Sequence, residues 1–486
     1  MPQPDNVAET IFALASAPGR AGVAVFRISG PAAGAALQTI THRLLPAPRM
    51  AVLCDFFHGA ERIDHGLALW FPAPHSFTGE DVAELHSHGG RALIHHVSAT
   101  LSAMPGLRLA EPGEFTRRGF ANGKFDLTEA EAIADLVDAE TTAQLRQALR
   151  QMDGALGKLY EAWRARLLRA LAHIEASIDF ADEELPADLA TMRVRELEQL
   201  QQEITAHLAD HRRGEKLRDG FHIAILGPPN AGKSSLLNAL AQRDAAIVSA
   251  TAGTTRDVIE VHLDLGGYPV IIADTAGLRA AADAIESEGV RRAQSRAAQA
   301  DLKILLFDAA ALPALDAATL ALRDDRSMCV VNKIDLLATG VCGDPKNNHC
   351  HSRESGNPVS STPAPTAQNW IPAFAGMTKD DCRDALPLSL RTGAGLPEFL
   401  STLTARVAVE LADTGAPALT RTRHRAGLEQ CRDYLTRALN GLQQQQEMAL
   451  VAEDIRLAMR ALGRITGTVA VEDLLDVIFR DFCIGK

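Results

Sequence analysis

The sequence predicts an α/β plus all-α protein. An N-terminal α/β domain comes first, then a helical domain in two separate segments, with a second α/β domain inserted between the segments. Three observations carry this. Short β-rich runs such as Gly22-Val23-Ala24-Val25-Phe26-Arg27-Ile28 and Leu67-Ala68-Leu69-Trp70-Phe71 alternate with helical stretches and Gly/Pro turns. Leu145, Leu149, Met152, Leu156, Leu159, Trp163, Leu167, Leu171, Ile174 and Ile178 then recur at spacings of three and four, the stripe of one long amphipathic helix. Further on, the apolar run Ile223-Ala224-Ile225-Leu226 leads into a glycine-bearing loop and the helical pattern Ser234–Leu240. That is the order of a parallel α/β unit.

The elements follow in chain order. Residues 1–122 form the N-terminal α/β domain, and 123–218 the first helical segment, which ends with a polar helix from Met192 to Leu208. Residues 219–408 form the inserted α/β domain, with Val270–Ala273, Leu302–Phe307 and Met328–Val331 as further buried strands. Helical character resumes in 409–486, from Arg421 to Leu462. The stretch 339–382 breaks the pattern: it is rich in Asn, Ser, Pro and Gly, and reads as a disordered surface insertion. His351–Pro358 and Trp370–Thr378 within it resemble the translated product of a mobile bacterial repeat element. Cys342, His349, Cys350, His351 and Cys382 lack zinc-ligand spacing, so a metal site there is disfavoured.

Composition narrows the function classes. A chain of 486 residues with 47% hydrophobic and 23% charged residues is an ordinary multidomain globular protein. No apolar run is long enough for a membrane helix, and Met1–Asp5 lacks a secretory basic region, which points to the cytoplasm. Seven scattered cysteines point to reduced thiols. A net charge of −12 excludes a globally basic nucleic-acid binder. RNA contacts would need local patches, for which Arg164, Arg166, Arg169, Arg421, Arg423 and Arg425 are candidates, though arginines on helices are more often a solvated face.

Four motifs in the inserted domain specify chemistry. Gly227-Pro228-Pro229-Asn230-Ala231-Gly232-Lys233-Ser234 is a phosphate loop, whose backbone N–H groups cradle phosphates at a helix N-terminus. Gly253-Thr254-Thr255-Arg256-Asp257, Asp274-Thr275-Ala276-Gly277 and Asn332-Lys333-Ile334-Asp335 follow in the order of a guanine-nucleotide hydrolase. A carboxylate such as Asp335 accepts two hydrogen bonds from guanine, and adenine would leave it unpaired. Lys233 is assigned to the β- and γ-phosphates, Ser234 and Thr255 to Mg²⁺, and Asp274 to the metal through water. Further nucleotide contacts fall on Gly277 and on Lys333. Ser389, Leu390 and Arg391 complete the guanine side, with Leu390 standing where such proteins carry alanine. Leu278 occupies the place of a water-orienting glutamine and cannot do that work. Glu286 is the nearest carboxylate that can, although an exposed acid at a helix start fits its spacing equally well.

The whole chain outside the insertion resembles the MnmE/TrmE tRNA-modification GTPases. The resemblance rests on Ala17–Gly22, Phe77-Thr78-Gly79-Glu80-Asp81, His88-Gly89-Gly90, Glu111-Pro112-Gly113-Glu114-Phe115-Thr116, the nucleotide motifs and Phe482-Cys483-Ile484-Gly485-Lys486. It implies a homodimer that joins an MnmG/GidA-type flavoprotein in a heterotetramer and modifies carbon 5 of the tRNA wobble uridine. It also implies a tetrahydrofolate-binding N-terminal domain, with Arg27, Glu84, Lys124 and Lys486 at the folate. The resemblance puts further nucleotide contacts on Ser235 and on Ser249, Ala250, Thr251 and Ala252. A potassium ion held by Asn230, Ser249, Thr251 and Thr254 would replace an arginine finger, Glu286 would orient water, and Cys483 would serve the modification reaction. A ribosome-assembly GTPase without covalent RNA chemistry is the alternative, as is a folate transferase with a regulatory GTPase module.

Overall fold

The computed structural model describes residues 9–179, 187–242, 260–273, 299–312, 314–337, 384–412, 415–469, 472–480, 482, 483 and 485. The expectations for Ser249 to Thr255, Asp274 to Gly277, Leu278, Glu286, Lys486 and the 339–382 insertion lie outside these residues. The chain divides into two compact units. One comprises Met1–Asp138, Gln147–His211 and Pro417–Lys486, and the other Ala139–Arg146 with Arg212–Ala416.

The first unit contains a six-stranded sheet built from β1 (Thr10–Leu14), β2 (Ala21–Ser29), β3 (Val52–His58), β4 (Glu61–Phe71), β5 (Val82–Gly89) and β6 (Leu107–Leu109). Their order is β3-β4-β5-β2-β1-β6, antiparallel except where β6 joins β1 in parallel. Alternation along β2 sends Ala24, Phe26 and Ile28 into the core. There Phe26 and Ile28 meet Phe12, Phe56, Trp70 and Leu85, and the helices Ala33–Thr41 and Arg91–Ser102 supply Leu37, Ile40, Val97 and Leu101. The intervening residue Arg27 therefore lies on the other face of the sheet.

A helical body completes this unit. Helices Ala155–Asp179, Ala187–Leu208, Thr422–Gln443 and Met448–Thr466 share one core, which contains Tyr160, Trp163, Leu167, Leu200, Leu428, Leu435, Ile455 and Leu462. The single long helix expected from Leu145 to Ile178 is instead two, Thr142–Met152 and Ala155–Asp179. Gly154 takes φ +77, a left-handed value, and its N–H donates to the Gln151 carbonyl, so the chain turns between them. Leu145, Leu149 and Met152 continue the spacing but are 42%, 39% and 37% exposed. Periodicity alone could not register the break.

The second unit holds a sheet of β7 (Phe221–Leu226), β8 (Glu260–Leu265), β9 (Tyr268–Ala273), β10 (Leu302–Asp308), β11 (Ser327–Asn332) and β12 (Leu386–Pro387). Its order is β12-β11-β10-β7-β9-β8, parallel throughout except for the β8–β9 hairpin. The strands expected from apolar runs are β7, β9, β10 and β11, and Ile223, Ile272, Ile304, Leu306 and Val330 form their core with Phe399 and Leu403. From β7 the chain goes to β9 on one side and β10 on the other. This reversal opens a crevice at the carboxyl end of β7, where ligands bind in open α/β sheets. Cys329 in β11 is disulfide-bonded, whereas Cys54, Cys431 and Cys483 are free. That departs from the expectation of reduced thiols throughout.

Candidate functional site

The crevice at the end of β7 is where the phosphate loop sits. Gly232 caps helix Lys233–Ala241 with φ +103, and a Cβ added to it would lie 2.3 Å from Nδ2 of Asn332, so only glycine fits. Asn230 also takes a left-handed φ of +66. The Lys233 ammonium curls back over the loop and donates to the carbonyls of Gly227 at 2.8 Å and Pro228 at 2.9 Å.

The guanine-side motifs gather at the carboxyl ends of β11 and β12. Asn332 is buried, and its amide joins two loops: Nδ2 donates to the Ala231 carbonyl at 2.9 Å, while Oδ1 accepts from the Leu390 N–H at 3.2 Å. The N–H of Leu390, one of the expected guanine-side residues, is thus donated to Asn332. Asp335 accepts from Ser389 Oγ at 2.7 Å, and the Arg391 guanidinium lies 3.8 Å from its other oxygen. Lys333, at φ +65, places its ammonium 2.6 Å from Asp308 at the end of β10. Burial works against the Asp308 carboxylate, but the Lys333 ammonium and the Ala310 N–H hold its pKa below the ordinary range. The motifs did not single out Asp308. Its one signal was an acid directly after the apolar run Leu302–Phe307.

A second polar site lies in the first unit, on the face of the sheet opposite the core. Arg27 and Glu84 are register partners across β2 and β5, and their side chains pair at 3.0 Å. The Arg27 guanidinium lies 5.2 Å from the centre of the Phe77 ring and 5.8 Å from that of Phe115. Both rings come from the motifs Phe77–Asp81 and Glu111–Thr116. His86 Nε2 lies 3.4 Å from the second Glu84 oxygen. Lys124 donates to the Pro74 carbonyl at 2.9 Å, and its Cδ would be 3.3 Å from a Cβ on Gly79. Sequence reasoning missed the clamp behind the two rings, in which Glu114 takes both Arg108 and Arg118, and Arg118 also reaches Glu80. Burial would raise the Glu114 pKa, but the guanidinium of Arg108, the Glu111 N–H and Arg118 overcome it and hold the group at about 2. Cys483 is exposed and adjoins Gly113, whose N–H donates to its carbonyl at 3.4 Å.

The arginines considered for RNA are committed to carboxylates of their own unit. Arg423 grips the buried Glu131 with both arms at 2.6 and 2.7 Å, Arg421 bonds Asp135 at 2.7 Å, and Arg425 pairs with Asp210. Arg166 bonds Glu203 at 2.7 Å, Arg164 bonds Glu161 at 3.3 Å, and Arg169 lies 3.8 Å from Glu196. Arg166, Arg421, Arg423 and Arg425 read as clamps between helices distant in sequence, whereas Arg164 pairs within its own helix and Arg169 is largely exposed. Among the described residues no group of three or more His, Cys, Asp or Glu is placed to hold a metal ion.

Comparisons with known proteins cover almost the whole chain. Residues 10–124 match the family described as GTP-binding protein TrmE N-terminus, and residues 127–483 that described as MnmE helical domain. The chain is 55% identical over 481 residues to the tRNA modification GTPase MnmE of Paramagnetospirillum magneticum, covering 99% of this chain and 100% of that one. It is 48% identical over 488 residues to the mitochondrial 5-taurinomethyluridine tRNA synthase subunit GTPB3 of Danio rerio, covering 98% of this chain and 93% of that one. Among solved structures, the G domain of the T. maritima FeoB iron transporter is 20% identical with a TM-score of 0.23, covering 39% of this chain and 98% of that one. A likeness that weak carries no argument.

Proposed function

The chain belongs to the MnmE family of tRNA modification GTPases, and from that premise we propose a specific division of labour between its two units. The protein is a GTP hydrolase acting in tRNA modification. Our reading is that hydrolysis is activated by potassium, and that the modified atom is carbon 5 of the wobble uridine. The added aminomethyl or carboxymethylaminomethyl carbon comes from a tetrahydrofolate derivative. The working assembly is a cytoplasmic homodimer joined to an MnmG/GidA-type flavoprotein and to tRNA. No helix among the described residues is long and apolar enough to cross a membrane.

The observation that carries the nucleotide half is the Asn332 amide, which ties the phosphate loop to the loop beside Asp335. It supports one continuous seat for phosphate and guanine. In this reading Lys233 leaves the carbonyls of Gly227 and Pro228 to pair with the β- and γ-phosphates. Ser234 and Thr255 hold Mg²⁺, and Asn230, Ser249, Thr251 and Thr254 hold potassium. All six residues offer oxygen, the donor that such hard cations prefer. When bound, potassium supplies positive charge against the phosphates as they react. Glu286 orients the attacking water, which Leu278 cannot do. On the sheet of the first unit, Arg27 is suited to the folate glutamate tail and Glu84 to the pterin amino edge, with Lys124 and Lys486 beside them. Binding would then exchange the Arg27–Glu84 pair for two contacts to the ligand.

Mass spectrometry of wobble nucleosides tests this reading in cells lacking the gene, complemented with wild type, Lys233→Ala or Cys483→Ser. Restoration by wild type and failure of both variants is the expected result. Identical nucleosides in every strain would overturn it and favour an assembly GTPase.

A further inference from the structure

The segment that carries Cys483 is held against the N-terminal sheet by a small number of close backbone approaches. Helix Glu472–Arg480 buries Phe479, and Phe482 follows it into the same pocket, packed with Leu127 and Ala130. The two rings lie 5.2 Å apart, and Arg117 pairs with Asp476 at 2.9 Å. Directly before the helix that carries Arg117, Gly113 takes φ +68. A Cβ there would stand 2.6 Å from the Phe479 carbonyl oxygen and 3.0 Å from Cβ of both Phe479 and Phe482. Two of the obstacles nearest to it are the backbone and Cβ of one residue, so relief requires the tail itself to move. Two residues beyond Cys483, Gly485 takes φ +101, and a Cβ on it would lie 2.5 Å from the Leu14 carbonyl oxygen. Leu14 ends β1, and the N–H of Ala15, the next residue, donates to the Val25 carbonyl in β2.

We infer that Gly113 and Gly485 are positioning residues that seat the C-terminal segment and so present Cys483 to the polar face holding Arg27 and Glu84. Phe115, two residues after Gly113, is one of the rings lying on Arg27, so the same short helix touches both the tail and the candidate site. This explains why the Glu111-Pro112-Gly113 string carries a glycine at a buried contact. The inference rests on the reading that Cys483 serves the modification reaction.

The test compares the full-length protein with Gly113→Ala, Gly485→Ala and Gly59→Ala. Gly59 also has a left-handed φ, +57, close to the +68 of Gly113, but nothing lies within 4 Å of its added Cβ, so it reproduces that backbone without touching the tail. Hydrogen exchange is followed in peptides spanning residues 475–486, with trypsin cleavage after Arg480 as a second readout. Both seat variants are expected to raise tail exchange and cleavage at least several-fold, with Gly59→Ala indistinguishable from wild type. In cells, the modified wobble nucleoside is expected to fall about tenfold for the two seat variants alone. The thermal transition of the first unit reports that the unit carrying the substitutions is folded, and GTP turnover, whose groups lie in the other unit, reports that the second unit is intact. Should Gly113→Ala fail to fold, Gly485→Ala decides, since the atoms nearest its added Cβ belong to Leu14 and Ala15 alone. Wild-type tail exchange in the seat variants overturns the inference, and so does a released tail with undiminished modification. Cys483→Ser keeps the two readings apart: if it modifies tRNA normally, the role of the thiol fails, while the exchange data still decide the seat.

Discussion

Asn332 holds two loops with one amide, and its burial makes that economy costly to disturb. Removing the amide leaves the Ala231 carbonyl and the Leu390 N–H without their partner. An unsatisfied buried group costs about 1–3 kcal/mol. Asn332→Ala is therefore expected to lower the stability of the second unit by about that much, and to weaken GTP binding at least tenfold in calorimetric titration. GTP affinity equal to wild type would show that the two loops are held by something else. Asp335→Asn makes a different prediction, because it reverses one hydrogen-bond polarity while keeping the shape. Preference should shift from GTP toward xanthosine triphosphate in a competition assay, and an unchanged preference would remove Asp335 from the guanine site.

At the scale of elements, the buried Glu131 joins helix Leu127–Asp138 to helix Thr422–Gln443, nearly three hundred residues later. Its carboxylate takes Arg423 and the Nε2 of His424 at 2.9 Å, and His424 Nδ1 is buried with no partner among the described residues. Burial alone would raise the Glu131 pKa, but Arg423 and His424 hold it at about 2. Breaking a buried pair by deleting one partner costs about 3–5 kcal/mol, because the remaining charge is left uncompensated. Glu131→Gln should consequently lower the first unit's thermal transition by several degrees in calorimetry. A variant melting with wild type would mean that the cluster is solvated.

Across the molecule, acid sensitivity follows from these buried groups. Burial pushes His424 below its ordinary 6.5, against the opposing pull of Glu131, and burial pushes His207 to about 4. Unfolded imidazoles bind protons that the folded ones refuse, so stability falls as the pH drops through 6.5, for His207 down to about 4. Glu131 adds a second loss of the same sign, beginning as the pH falls through 4.5 and complete near 2. All these groups lie in the first unit. Its melting temperature is expected to drop between pH 7.5 and 5, with a smaller change in the second unit. A flat first-unit profile over that range would contradict the assignment.

The sequence by itself determined the chemistry that is local. A phosphate loop needs its glycines, lysine and serine at fixed spacing between a strand and a helix, and all of that is contiguous from Ile223 to Leu240. Motif order then announced the nucleotide class, and the apolar runs announced the strands, because burial on both faces leaves a continuous apolar record. What only the tertiary structure decided is what depends on groups meeting from distant positions. Arg421, Arg423 and Arg425 look like a basic patch along the chain, yet each closes on a carboxylate far away in sequence. Asp308 carries no motif and Glu114 stands in one that gave it no role, and the two acquire their roles from Lys333, Arg108 and Arg118. The break at Gly154 and the seat at Gly113 were equally hidden: spacing records which face is apolar, whereas a left-handed φ or a 2.6 Å approach exists only once the chain has folded.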